Sequence, residues 1–359
     1  MLSTYGWSDA LQHDFAPHAA HGLAPARVIV QQRGRYRLAT ETGDVEGRLL
    51  GRFAHEAADG GYPVAGDWVA IARKGDHGMI AAVLPRRTAF TRKAAGSSQT
   101  LQVVAANVDV ALLATSLNAD LNLRRIERYL AMTYESGAEP VVLLTKADAC
   151  ADPAPLIAAV EAVAFGVPVL AVSAATGEGL AALAAYLAPG RTAVLLGSSG
   201  VGKSTLVNAL ANAARMATQA IREDDAHGRH TTTHRELILL PSGALILDTP
   251  GMREIALSDA EVGVAIVFAE DTEQIETLAA QCRFSDCRHG NEPGCAVREA
   301  LADGRLDADR WRSFQKLQRE LAHAERRDDP IARETERRRW AAIHKAARAR
   351  TRSKREIDD

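Results

Sequence analysis

The chain has 359 residues, 47% hydrophobic and 25% charged, with a formal net charge of −2, which is ample for two or three domains with buried cores. No apolar run approaches the ~18 residues of a membrane span, and the start lacks a basic region followed by an apolar block, so the expectation is a cytoplasmic protein without a membrane partner. The charge is uneven: residues 1–93 carry a net +3, 94–332 a net −10 and 333–359 a net +5, and basic ends on an acidic body point to a polyanionic partner.

Residues 1–20 show no steady periodicity and read as a loosely held arm. Short alternating or apolar runs follow at 27–32, 35–40, 45–53, 67–72 and 79–83, separated by turn signals at Gly34, Thr42-Gly43-Asp44, Gly60-Gly61 and Lys74-Gly75-Asp76. Five short strands in this space predict a small β-barrel; an OB-fold fits the count, as do other five-stranded barrels. Arg86, Arg87, Arg92 and Lys93 close the segment and are a candidate polyanion contact.

From about residue 94 the rhythm becomes strand and helix in alternation. Strands are predicted at 109–115, 140–144, 167–172 and 192–196, and helices at 123–136, 155–165 and 180–187. This predicts an α/β core with a parallel, doubly wound sheet and ligand loops at the carboxyl ends of its strands.

Those ends carry the motifs. Strand 192–196 runs into Gly197-Ser198-Ser199-Gly200-Val201-Gly202-Lys203-Ser204-Thr205, a phosphate loop. Its glycines let backbone N–H groups converge on phosphate oxygens, Lys203 reaches the β/γ-phosphates, and the Ser204 hydroxyl serves Mg²⁺. Strand 140–144 delivers Thr145-Lys146-Ala147-Asp148. Asp148 is suited to accept from the N1–H and exocyclic amine of guanine, donors adenine does not present together, while the Lys146 stem lies along the base. Ser173-Ala174 fits a backbone contact to guanine O6. Asp248-Thr249-Pro250-Gly251 follows an apolar strand, with Asp248 placed to hold Mg²⁺ through water and Gly251 to meet the γ-phosphate. In His230-Thr231-Thr232-Thr233 a threonine, with Thr232 and Thr233 the candidates, can complete the Mg²⁺ shell. Met252 stands where many GTPases place the glutamine that orients water. His230 is therefore the candidate catalytic residue. The base-reading motif precedes the phosphate loop, the order expected if a parallel sheet is cut and rejoined elsewhere; termini at the surface make such circular permutation tolerable.

Beyond Gly251 the sequence turns helical. Cys282, Cys287, His289 and Cys295 supply three thiolates and an imidazole within fourteen residues, a full tetrahedral set that reads as one structural zinc. Cys150 lies apart from it. Trp311, Phe314 and Leu317, three residues apart in turn, read as core packing. The tail at 333–355 holds ten basic residues against two acidic ones and is a second candidate for phosphate contact.

With Pro63-Val64-Ala65-Gly66-Asp67-Trp68-Val69, Leu84-Pro85-Arg86-Arg87, Ala105-Ala106-Asn107-Val108-Asp109, Gly228 to Thr233, Asp248 to Gly251 and Glu292 to Val297, the chain resembles the circularly permuted ribosome-biogenesis GTPases of the RsgA (YjeQ) type over nearly its whole length. The resemblance implies an N-terminal arm and OB-fold (1–93), a permuted GTPase domain (94–265) and a zinc-binding helical domain with a basic tail (266–359). It further implies GTP hydrolysis stimulated by the small (30S) ribosomal subunit and release after late maturation of that particle, with its 16S rRNA, GTP and GDP as partners of a monomeric protein. The family's catalytic histidine matches His230, and its zinc ligands match Cys282, Cys287, His289 and Cys295. Thr145 departs from the family, replacing an asparagine by a residue with fewer hydrogen-bonding atoms. Two rivals use the same motifs: a GTP-dependent rRNA-binding scaffold with incidental hydrolysis, separated by whether subunits stimulate turnover, and a metal-transfer GTPase, separated by how fast bound zinc exchanges.

Overall fold

The computed structural model describes residues 1–32, 34–57, 61–93, 101–118, 121–212, 235–248 and 260–328. The first twenty residues are not a loose arm. They hold a helix, α1 (Asp9–Ala19), whose cap is the Ser8 hydroxyl, accepting from the Leu11 amide at 3.4 Å. Leu11 and Phe15, four apart and so on one helical face, are buried. Trp7 meets the rings of Phe15 and Trp68 edge-on at 5.9 and 4.9 Å, which ties the arm to the barrel. Two apolar residues are too few to produce a visible period, which is why the sequence pattern missed the helix.

The barrel comprises β1 (Ala24–Gln32), β2 (Arg35–Thr40), β3 (Gly43–Leu49), β4 (Trp68–Lys74) and β5 (His77–Val83). It closes in the order β1-β2-β3-β5-β4 and back to β1, antiparallel except between β3 and β5. That is the OB arrangement, filled by Val28, Leu38, Val69, Ile71 and Ile80. The third predicted strand ends early, at Leu49, because the chain turns into α2 (Gly51–Glu56). A hairpin the sequence pattern did not reveal, β6 (Ala89–Lys93) with β7 (Leu101–Ala106), follows.

Five parallel strands then form the predicted doubly wound sheet: β8 (Val110–Ser116), β9 (Glu139–Thr145), β10 (Val169–Val172), β11 (Thr192–Leu196) and β13 (Leu245–Asp248), in the order β10-β9-β8-β11-β13. The antiparallel β12 (Arg235–Leu239) lies beyond β13. Every residue of β8 is buried, as expected of a strand covered on both faces. Ala111, Leu113, Val142, Leu144 and Val194 face α3 (Leu123–Ser136) and α4 (Ala154–Val163). Val110, Leu112, Val141, Leu143 and Ala193 face α5 (Leu180–Ala184) and α6 (Lys203–Ala211).

The barrel and this sheet are joined by hydrogen bonding: β1 pairs antiparallel with β12, Val30 opposite Glu236 and Gln31 opposite Arg235. Beside the joint, Arg27 is almost wholly buried. Its guanidinium donates to the carbonyls of Tyr5, Gly66 and Asn107 and to the Thr192 hydroxyl, and lies over the Trp68 ring. Burial lowers its pKa to about 10, so it stays charged at neutral pH.

Beyond residue 260 come α7 (Glu261–Val267), α8 (Ala269–Ala279), α9 (Ala296–Ala302) and α10 (Ala308–Asp328). Helix α7 lies so close to α3 that a Cβ at Gly263 would come within 1.9 Å of the Ala131 carbonyl oxygen. Phe314 and Leu317 are core, as expected. Among the described residues, no helix is long and apolar enough to cross a membrane.

Candidate functional site

The carboxyl ends of β8, β9, β10, β11 and β13 share one edge of the sheet. The chain reaches this edge first with the segment 145–148 expected to read the base, after β9, then with the glycine-rich loop expected to hold the phosphates, after β11. The loop packs where no side chain fits: a Cβ at Gly197 would come within 2.4 Å of the Ala114 carbonyl oxygen. Gly202, at φ +96°, then starts α6 and accepts the Leu206 amide at 2.9 Å. Lys203, the first residue of α6, folds back so that Nζ donates to the carbonyls of Gly197 and Ser198 at 2.9 and 2.6 Å. Its ammonium thus lies inside the loop. Ser204 is half-buried and Thr205 exposed.

The Thr145 hydroxyl, buried at the end of β9, donates to the Val201 carbonyl of the phosphate loop at 2.6 Å, with the Thr115 carbonyl at 3.2 Å on its other side. One short polar side chain therefore spans the base-reading loop and the phosphate loop. Lys146 follows at φ +59°, and this left-handed residue starts the single turn Ala147–Ala149 that carries the exposed Asp148. After β10, the buried Ser173 hydroxyl accepts from the amides of Ala175 and Thr176 at 3.2 Å each. Its side chain thereby holds the Ser173-Ala174 turn, and the backbone is what remains to meet a base. Asp248 ends β13, beside β11. His230, Thr231, Thr232, Thr233, Gly251 and Met252, and with them the second half of the predicted magnesium and water-positioning set, lie outside the described residues, as does the basic tail at 333–359.

Arg125, in the first turn of α3, went unnoticed in the sequence; Asn122 caps that helix by accepting the Arg125 amide at 3.1 Å. The Arg125 Nη1 donates to the Ser198 hydroxyl at 2.6 Å. No motif spacing marks this residue. The one signal is a pair of arginines opening an amphipathic helix directly after the central strand.

Arg86 and Arg87, at the end of the barrel, are engaged internally. Arg86 donates through Nε and Nη2 to the two oxygens of the fully buried Asp67, at 2.8 and 2.7 Å, and to the Tyr62 carbonyl at 3.0 Å. Burial raises the Asp67 carboxyl, with Arg86 pulling the other way. Arg87 pairs with Asp109 at 3.2 Å, whose other oxygen accepts the Thr192 amide at 2.8 Å. Arg86 is thus structural, and Arg87 is only half exposed to a partner.

The four sulfur and imidazole donors do come together. The ligand atoms of Cys282, Cys287, His289 and Cys295 lie within 4.8 Å of one another. Cys282 Sγ is 3.9 Å from Cys295 Sγ and 3.7 Å from His289 Nδ1, and Cys295 Sγ is 3.5 Å from His289 Nδ1. A tetrahedron with zinc–sulfur bonds of about 2.3 Å has edges of about 3.8 Å, so the cluster has the dimensions of a metal site. The turn before Cys295 is held by the Arg283 amide on the Gly294 carbonyl at 3.0 Å. Burial alone would raise the Cys282 thiol, yet the amides of Ala296 and Val297, with the neighbouring Cys295 and Cys287 thiols, bring it below its ordinary value. The Cys287 thiol is pushed up to about 11: the His289 amide favours its thiolate, but burial and the adjacent Cys295 and Cys282 sulfurs outweigh that. Three thiolates on one spot need a cation, and these residues can hold one. Cys150 is half-buried.

A parallel sheet with a lysine-bearing phosphate loop tied to a base-reading loop that precedes it in the chain defines a circularly permuted phosphate-loop GTPase. Comparison with known proteins agrees. The RsgA GTPase family model matches residues 83–258; an ABC transporter model also matches, at 180–337, over a stretch that includes the phosphate loop both classes use. A small ribosomal subunit biogenesis GTPase RsgA from Opitutus terrae is 47% identical over 98% of both chains. Among solved structures, YjeQ from Thermotoga maritima is 26% identical with a TM-score of 0.60, covering 84% of this chain and 99% of its own. YloQ, a circularly permuted GTPase, is 25% identical with a TM-score of 0.58, covering 84% and 96%. The chain belongs to the RsgA GTPase family, and it is a GTP hydrolase.

Proposed function

We propose that this protein is a cytoplasmic, monomeric GTPase that binds the small ribosomal subunit through its 16S rRNA and assists late maturation, hydrolysing GTP when the subunit stimulates it. The observation that carries the nucleotide half is the tie between Thr145 and Val201 at 2.6 Å, which puts a guanine-reading loop and a lysine-bearing phosphate loop under one constraint. The relatives' names support the ribosomal half.

The chemistry assigned to the site is positioning and charge neutralisation. Asp148 reads the base, Lys146 flanks it, and the backbone of Ser173-Ala174 approaches O6. The amides of Gly197 to Thr205 and the Lys203 ammonium cradle the phosphates. Ser204, Asp248 and one of Thr232 and Thr233 would hold Mg²⁺, which supplies charge neutralisation at the β- and γ-phosphates; a hydroxyl and a carboxylate are the hard oxygen donors that ion takes. Gly251 meets the γ-phosphate through its amide, and His230 orients or deprotonates water.

The Cys282, Cys287, His289 and Cys295 set would hold one zinc in a purely structural role, since all four positions of a tetrahedron are taken by the protein. The functional units are read as 1–93, 94–265 and 266–359, with rRNA attraction concentrated in the basic ends. GTP hydrolysis with and without purified small subunits tests this reading. A rate that subunits leave unchanged would favour a scaffold with incidental hydrolysis instead.

A further inference from the structure

Helix α3 touches the phosphate loop with one side and the C-terminal helices with the other. Arg125 and Glu127 are two residues apart, about 200° around the helix. Arg125 Nη1 holds the Ser198 hydroxyl at 2.6 Å, and Ser198 is also the residue whose carbonyl receives the Lys203 ammonium at 2.6 Å. Two cations therefore converge on one residue of the loop, the arrangement an anion would draw further inward. On the opposite side, Glu127 is buried, accepts a hydrogen bond from the Ser313 hydroxyl and lies 3.6 Å from Arg310 Nη1. Burial raises the Glu127 carboxyl. Arg310 is itself anchored, by Nε to Asp271 at 2.6 Å and by Nη2 to the Val267 carbonyl at 3.0 Å. Arg124 to Asp309 at 3.5 Å and Arg128 to Glu320 at 2.7 Å flank this contact, so α10 meets α3 along a ladder of polar rungs.

We propose that Arg125 is a positioning residue of the phosphate site, and that α3 carries the difference between nucleoside tri- and diphosphate from Ser198 through Glu127 to Ser313 and Arg310 of the C-terminal helices. A serine hydroxyl is a neutral acceptor, and a phosphate oxygen makes a stronger, charge-assisted bond to a guanidinium, often bidentate. A γ-phosphate held by Lys203 competes with Ser198 for Arg125, whereas a diphosphate competes less. Re-aiming Arg125 turns or shifts the first turn of α3. The polar rungs read such a shift more sharply than an apolar contact would, because hydrogen bonds and ion pairs depend on distance and angle. This route is separate from the segments at 213–234 and 249–259, and it rests on the reading of residues 197–204 as the phosphate site.

The test uses the full chain with GDP and with a non-hydrolysable GTP analogue. Two quantities are read: the affinity ratio of the two nucleotides, and hydrogen exchange of the α10 amides in each state. The unaltered chain should protect α10 differently in the two states. Arg125→Gln should weaken the analogue several-fold more than GDP and remove the exchange difference, with Arg125→Lys restoring part of both because it keeps the charge. Ser313→Ala, at the far end, should shrink the exchange difference and, because coupling is reciprocal, narrow the affinity ratio in the same direction as Arg125→Gln. Equal α10 exchange in the two states of the unaltered chain overturns the inference, as does an Arg125→Gln protein that keeps both the affinity ratio and the exchange difference. Failure of the underlying site reading looks different, since then the unaltered chain would bind neither nucleotide.

Discussion

The Thr145 hydroxyl donates to the Val201 carbonyl at 2.6 Å, and through that bond the loop assigned to the base and the loop assigned to the phosphates are set against each other. A hydroxyl carries a single proton, so this tie and the 3.2 Å approach to Thr115 compete for it. Thr145→Val keeps the shape and deletes the donor, leaving a buried carbonyl without its partner. The expected result is GTP and GDP binding weaker by about tenfold, equivalent to about 1.4 kcal/mol. Calorimetric affinities that match the unaltered chain would show that the two loops hold their places without it.

Asp148 is exposed at the rim and is assigned to the two guanine donors. Asp148→Asn replaces a charged acceptor by a neutral one that also presents an amine, so discrimination between GTP and ATP should fall by about tenfold or more, as charge-assisted bonds are worth about 1.5–3 kcal/mol. Competition of each nucleotide against a fluorescent GDP measures it. A preference that survives would move base recognition to the backbone of Ser173-Ala174.

His230→Ala should leave GTP binding nearly unchanged and lower subunit-stimulated hydrolysis by about a hundredfold, the low end of what a positioned acid–base group supplies. Single-turnover hydrolysis on purified small subunits reads it directly. A stimulated rate equal to that of the unaltered chain would transfer the orientation of water to backbone groups or to the ribosome.

One zinc per chain is expected by elemental analysis, and Cys295→Ser should lose it. Cys295 sits at the N-cap of α9 and is buried, so metal loss should loosen the segment from 282 to 302 while nucleotide affinity persists. Nucleotide binding that collapses along with the metal would contradict the separation of the two sites.

Arg86→Ala leaves the Asp67 carboxylate, with no exposed surface, without its bidentate partner, at an expected cost of about 3–5 kcal/mol. The sign of the pH dependence follows from Asp67. Its carboxyl is already raised by burial, with Arg86 opposing, and removing Arg86 raises it further. The folded variant then binds a proton the unfolded chain does not, so part of the lost stability returns as pH falls through the folded pKa. Thermal melts across a pH series check this, and a deficit independent of pH would mean Asp67 stays ionised. Binding of the subunit across a salt series should fall steeply for the full chain and less steeply once residues 333–359 are removed.

The sheet, its glycine-rich loop and the cysteine–histidine cluster were legible because each has a short-range signature: continuous apolar strands, glycines at fixed offsets, thiols at ligand spacing. Strand 192–196 was read to the residue. The helix of the arm leaves no local signal because it is held by Trp7, Phe15 and Trp68, residues up to 61 positions apart that no local window joins. Arg86 looked like a free cation for the same reason, its partner Asp67 being nineteen residues away. Arg125 escaped notice because its role depends on Ser198, seventy-three residues further on. Sequence periodicity reports which face of an element is apolar, and it is silent on which polar groups meet across elements.

The pairing of β1 with β12 has a consequence for the outer edge of the sheet. An open sheet ends in a strand with unanswered N–H and C=O groups, a template on which other chains can add. At one side the sheet stops at β10, only four residues long. At the other, β12 would offer such a template, and the barrel's first strand covers its opening residues, Arg235 and Glu236, with Gln31 and Val30. The barrel therefore covers the start of this outer strand. A chain shortened to begin after the barrel would leave Arg235 and Glu236 as a newly unpaired strand end, a place where other chains could add.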